Sequence, residues 1–248
     1  MRPLLLFQLR RVGRNRQFLL FTVLLPALFT IFFTKIFGGQ ARTAGDYQDV
    51  AAGVMVSMMA YGGLGAALGA TIRISFDRAS GWLRQLRISP VPQAHVFTVD
   101  VVVGALLTLP GLVVVALAGR FVSGVDLPVP TWLALVGVLW AGSIVFVALG
   151  LLLGLSLEEK AAGGAMGVVS VALATLGGLW VPVEVFPHSL QVLARFMPSY
   201  WYAAMGRDVA AGLAPDVTAV LALCGFTAVF AVLAVLVARR RPLHAVSG

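Results

Sequence analysis

Charge is scarce in this chain. Of its 248 residues 11% are charged and only 10 are acidic, where an ordinary soluble domain carries roughly a quarter charged residues. With 60% apolar residues and a mean hydropathy of +0.96, the composition excludes a soluble globular fold and requires an integral membrane protein. The single cysteine, Cys224, lies inside an apolar run, so it makes no internal disulfide and has no partner at metal-ligand spacing. The three histidines, His95, His188 and His244, fall in loops or at the ends of apolar runs, with no His-Glu-x-x-His pair, which argues against metal catalysis. No histidine stands inside a run to serve Ser57, Ser143 or Ser170 as a base, which argues against an intramembrane serine nucleophile. A Gly-x-x-x-x-Gly-Lys-Ser/Thr stretch is missing, so any ATP chemistry belongs to a partner. Ionisable groups are also missing from the centres of the apolar runs. Asp100 comes nearest, within the first turns of its run, and this argues against a self-contained proton- or sodium-driven carrier.

What the chain does have is long apolar runs. A helix rises 1.5 Å per residue and the hydrocarbon core is about 30 Å thick, so a run of roughly twenty apolar residues crosses it. Six such runs are expected, near Phe18 to Phe37, Val50 to Ile72, Val96 to Gly119, Trp132 to Leu155, Ala161 to Val181 and Asp216 to Ala238. Pro26 and Pro110 fall inside runs and predict kinks there. Three glycine pairs at four-residue spacing, Gly65 with Gly69, Gly150 with Gly154 and Gly163 with Gly167, predict close helix packing.

The net charge of +8 describes topology rather than affinity for nucleic acid, because the basic residues cluster at the ends of the runs. With the N-terminus inside, thirteen basic residues fall on the cytoplasmic side, and Lys35, Arg42, Arg120, Arg195 and Arg207 fall outside. The positive-inside rule therefore predicts six crossings with both termini in the cytoplasm. Residues 1–17 combine leucines with Arg2, Arg10, Arg11, Arg14 and Arg16, the composition of an amphipathic helix lying among headgroups. Arginine outnumbers lysine sixteen to two, a compositional hint of a bacterial source, so the expected location is a bacterial plasma (inner) membrane.

Two connections are more than linkers. Between the second and third runs, residues 73–95 form a basic amphipathic stretch. Read as a helix, it lines up Phe76, Ala79, Trp82, Leu83 and Leu86 against Asp77, Arg78, Arg84, Gln85 and Arg87, a shape a soluble partner could grip. Residues 182–215 are polar, proline-punctuated and aromatic. They predict a pair of short helices broken at Pro198, with Tyr200, Trp201 and Tyr202 at the membrane interface and the segment dipping into the outer leaflet.

The first connection, with Asp77, Arg78, Gly81, Leu83, Arg84, Leu86, Arg87, Ser89 and Pro90, resembles the first cytoplasmic loop of membrane subunits of type-2 ATP-binding cassette (ABC) exporters. Pro182, Glu184 and Pro187, followed by Pro198, Tyr200, Arg207 and Gly212, resemble that family's re-entrant segment before the last span. The sequence departs from the family pattern at Ala79 and Trp82. The resemblance implies an all-α membrane protein forming a single permease domain, with six transmembrane helices, an N-terminal interfacial helix, a cytoplasmic coupling helix and extracellular re-entrant helices. It also implies that Phe76, Asp77, Arg78, Gly81, Trp82, Leu83, Arg84, Leu86 and Arg87 form the ATPase-coupling site. The implied partners are two copies of a separate ABC ATPase, which bind ATP and Mg, and a second permease copy or paralogue.

The chain itself is expected to be non-catalytic and to hold no cofactor or metal. Met55, Met58, Met59 and Tyr61 are candidates for a substrate path suited to greasy cargo, with core packing as the plainer reading. Glu184, Phe196, Tyr200 and Arg207 are candidates for an outer gate, although Glu184 could simply end a helix near the headgroups. The expected cargo is a drug, antibiotic or lipid-like molecule moved outward, so multidrug efflux and antibiotic resistance come into view. Glycan export, a self-contained carrier or channel, and a membrane-embedded enzyme or assembly factor remain as alternatives.

Overall fold

The computed structural model describes residues 20–39, 41–79 and 93–240, which are helices and their connections with no strand among the described residues. A π-helical turn, Leu20–Leu24, leads into α1, Leu25–Gly38, where Pro26 sits at the first helical positions and its missing N–H costs nothing. Helix α2, Ala44–Thr71, starts six residues earlier than its apolar run suggests. The reason is a capping box: Thr43 Oγ1 accepts from Asp46 N at 3.1 Å, and Asp46 Oδ2 accepts from Thr43 N at 3.1 Å. At its other end Ile72 N still donates to Leu68 O, and the chain passes straight into α3, Arg73–Ala79.

Helix α4, Gln93–Phe121, runs through Pro110 without interruption. The fourth apolar run is divided into α5, Val129–Gly142, and α6, Ile144–Ser156, by a break at Ser143 that the run does not announce. Helix α7, Glu159–Leu176, is followed by a 3-10 turn, Val183–Val185, then by α8, His188–Ala194, and α9, Pro198–Ala210. The expected pair of short helices is therefore present, with Pro198 opening the second. Helix α10, Val217–Arg240, closes the described chain.

Four stretches are long and apolar enough to cross a membrane: Ala44–Phe76, Thr98–Phe121, Val129–Ser156 and Val217–Arg239. Thr22–Gly38 is apolar but shorter, and α7 spans 18 residues with Glu159 and Lys160 in its first turn. The chain is thus an all-helical integral membrane protein in which four described stretches, not six, reach spanning length. The expected interfacial helix, 1–17, lies outside the described residues.

Helix α2 is the hub, with Met55, Met59, Leu64 and Leu68 fully buried. Helix α6 lies against its far end because Gly150 and Gly154 have no side chain: a Cβ at Gly150 would overlap Thr71 Oγ1 and come within 3.1 Å of Leu68 Cα. Gly163 and Gly167 face open space instead, so close packing holds for the first of these pairs and not the second. At the opposite end α2 is tied to the α4–α5 connection. Tyr47 Oη donates to Ser123 O at 3.1 Å and Gln48 Nε2 to Gly124 O at 2.8 Å, while Gln48 Oε1 accepts from Asp126 N at 3.1 Å. Arg120 and Asp126 form an ion pair beside them.

Candidate functional site

The end of the bundle carrying the α4–α5 connection also carries α8 and α9, and α9 has two unlike faces. One face is driven into the core at Tyr202, which is fully buried although its sequence neighbours suggested an interfacial residue. Its ring fits because Gly142 has no side chain: a Cβ there would lie 2.8 Å from the ring. Gly63 of α2 makes room for the hydroxyl, which would otherwise meet a Cβ at 2.6 Å. The hydroxyl donates to Leu139 O at 2.7 Å, and the ring meets Phe146 edge-on at 5.2 Å. Leu139 O also accepts from Ser143 N at 3.0 Å, and Ser143 Oγ donates to Trp140 O at 2.7 Å, so the α5–α6 break is held by the Tyr202 anchor and by Ser143 itself. Ser199 adds a second tie by donating to Leu173 O at 2.7 Å, which fixes the start of α9 to α7.

The other face of α9 borders a cavity of about 350 Å³. Phe33 and Phe37 of α1 and Val54, Ser57 and Met58 of α2 form one wall, and Trp180, Glu184 and Arg207 form the other. Glu184 is exposed and Arg207 half-buried. Burial lowers the Arg207 guanidinium from its ordinary value, and the negative charges of Glu184 and then Asp208 oppose the shift. Among the described residues neither hydrogen bond nor ion pair engages the Arg207 guanidinium. Asp208 is already occupied, accepting from Asp216 N at 3.0 Å. The Trp180 indole N–H is buried and likewise unpartnered among the described residues, with its ring edge-on to Tyr61 at 5.4 Å.

This geometry sorts the residues singled out from sequence. Glu184 and Arg207 meet on one cavity, and Tyr200 is not part of its lining. Phe196 is 67% exposed and lines no part of that cavity. Met58 reaches the cavity wall and Tyr61 backs it through Trp180, whereas Met55 packs against Gly119 of α4 and Met59 is sealed in the core. In the amphipathic connection, Phe76, Asp77 and Arg78 fall in α3, with Phe76 exposed. Gly81, Trp82, Leu83, Arg84, Leu86 and Arg87 lie outside the described residues. The sequence reading missed Phe33, Phe37, Ser57 and Trp180. The paired phenylalanines of the first run and a tryptophan at the end of the fifth were the available signals.

The model of the ABC-2 type transporter family matches residues 3–211, which takes in every element from the first apolar run through α9. The chain belongs to the ABC-2 type transporter family. It is also similar to "Putative transport permease YvfS" of Bacillus subtilis (strain 168), 26% identical over 237 residues that cover 94% of this chain and 95% of the relative. As an ABC-2 transport permease it is the non-catalytic membrane component of a transporter and pairs with an ABC ATPase. Among the described residues no cluster of histidine, cysteine or carboxylate groups is suited to a metal ion.

Proposed function

We propose that this ABC-2 permease exports a hydrophobic or amphipathic molecule, such as a drug, an antibiotic or a lipid-like compound, across a bacterial plasma membrane. Two permeases, identical or paralogous, pair with two copies of a separate ATPase, which binds ATP and Mg. Six spans, the first near Phe18 to Phe37 and the fifth near Ala161 to Val181, leave both termini in the cytoplasm. Residues 1–17 lie along the headgroups, and residues 182–215 form the external re-entrant segment.

The observation that carries the reading is a family match across residues 3–211 in a chain with no phosphate-binding loop of its own. Force must then enter through a cytoplasmic contact. The 73–95 connection combines an apolar stripe with basic flanks at the end of a 33-residue apolar stretch, Ala44–Phe76. ATP-driven closure of the ATPase pair pushes on Phe76, Trp82, Leu83 and Leu86, with Asp77, Arg78, Arg84 and Arg87 around them and Gly81 allowing close approach. The push tilts the long α2 stretch and α4. Export rather than import follows from the loop's resemblance to exporters, and greasy cargo from the methionines of α2 and the lack of ionisable groups at the centres of the apolar runs.

Two measurements test this reading. Replacing Trp82 and Leu86 with Asp should abolish co-purification of the ATPase and transport together, and unchanged binding would sink the coupling assignment. Reconstitution with the ATPase encoded beside the permease should give ATP-dependent efflux, whereas gradient-driven flux without a partner would point to a carrier. Transport confined to polar sugars would overturn the cargo class.

A further inference from the structure

The cavity between α1, α2 and α9 is amphipathic in an ordered way. Its apolar wall is Phe33, Phe37, Val54 and Met58, and its cation, Arg207, is half-buried beside that wall. Its anion, Glu184, is exposed. The two charges share the cavity without closing into an ion pair, and the Arg207 guanidinium has no hydrogen-bond partner among the described residues. A half-buried guanidinium that lines an apolar cavity is placed to receive an acidic group, and its planar fork suits phosphate. The volume, about 350 Å³, falls within the range of roughly 300–1,000 Å³ typical of small-molecule sites.

We propose that this cavity binds a zwitterionic amphiphile whose phosphate lies next to its tail and whose amine lies farther out. The phosphate pairs with Arg207, the amine faces Glu184, and the first part of the tail lies against Phe33 and Phe37. The order of charges decides the class: the half-buried cation meets the acid that adjoins the tail, and the exposed carboxylate meets the distal amine. Phosphocholine and phosphoethanolamine amphiphiles have this order, while sulfobetaines carry the reverse. The assignment rests on the cavity's own residues, not on the exporter reading.

The test uses the purified full chain in maltoside micelles, with dodecylphosphocholine and dodecyl sulfobetaine as probes of equal tail length. Binding is read from tryptophan fluorescence, with Trp180→Phe as the blank. Dodecylphosphocholine should bind at least tenfold more tightly. Arg207→Gln should remove that preference, Arg207→Lys should keep most of it, and Glu184→Gln should weaken the phosphocholine probe a few-fold. Equal binding of the two probes, or a preference that survives Arg207→Gln, would overturn the proposal. Addition of the partner ATPase distinguishes the source of the ligand. Stimulated ATP hydrolysis marks the amphiphile as cargo, and retained binding with unchanged hydrolysis marks it as a resident lipid. Either result upholds the site.

Discussion

The two faces of α9 treat polarity in opposite ways. On one, the Tyr202 hydroxyl is fully buried and satisfied, 2.7 Å from Leu139 O, with glycines at positions 63 and 142 cleared to admit it. On the other, Arg207 is half-buried beside a cavity and its guanidinium has no hydrogen-bond partner among the described residues. A buried polar group with its partner in place is part of the scaffold; a half-buried cation that lines a cavity is a candidate site. One short helix therefore supplies both the anchor and the candidate site, and the anchor holds the site in register with the α5–α6 break.

The comparison is broken most severely at the anchor. Tyr202→Ala leaves a cavity between α2 and α5 and should cost about 3–5 kcal/mol, the range for deleting a large buried ring. Unfolding in mixed micelles would read the loss, and a cost below about 1 kcal/mol would show that the ring is not packed as described. Gly142→Val attacks the same contact from the other side. A Cβ there lies 2.7 Å from the Met205 methyl and 2.8 Å from the Tyr202 ring, so the substitution should cost about 1–3 kcal/mol through overpacking. Tyr202→Phe keeps the ring and removes one hydrogen bond. Leu139 O keeps its bond from Ser143 N, so the loss should be about 0.5–1.5 kcal/mol. If Tyr202→Phe instead matched Tyr202→Ala, the hydroxyl rather than the ring would be the anchor.

Much of the scaffold was legible in the sequence because apolar runs report helices directly. The runs from Val96, Trp132 and Asp216 match α4, α5 with α6, and α10 within a few residues. The early start of α2 was hidden because its first turn is polar; Thr43 and Asp46, three residues apart, were the signal. The break at Ser143 was hidden because a uniformly apolar run has no punctuation beyond a Gly-Ser pair, and Tyr202, which packs beside it, lies some sixty residues away. The site was half legible. Glu184 and Arg207 drew notice as charges in a greasy segment, while Phe33 and Trp180 look like ordinary membrane aromatics until the fold sets them on the same cavity.

The smallest stability effect belongs to the cavity face, and it completes the contrast. The Arg207 guanidinium has no hydrogen bond or ion pair to lose among the described residues. Arg207→Met keeps the packing of the long stem while removing the charge. It should therefore change unfolding in mixed micelles by no more than about 0.5 kcal/mol in the destabilising direction, the scale of substitutions that break no specific contact. The same variant should lose binding of dodecylphosphocholine. Stability retained while binding is lost separates the two faces of α9 as scaffold and site. A loss as large as that of Tyr202→Ala would mean that Arg207 is itself a structural tie, and the distinction between the faces would fall.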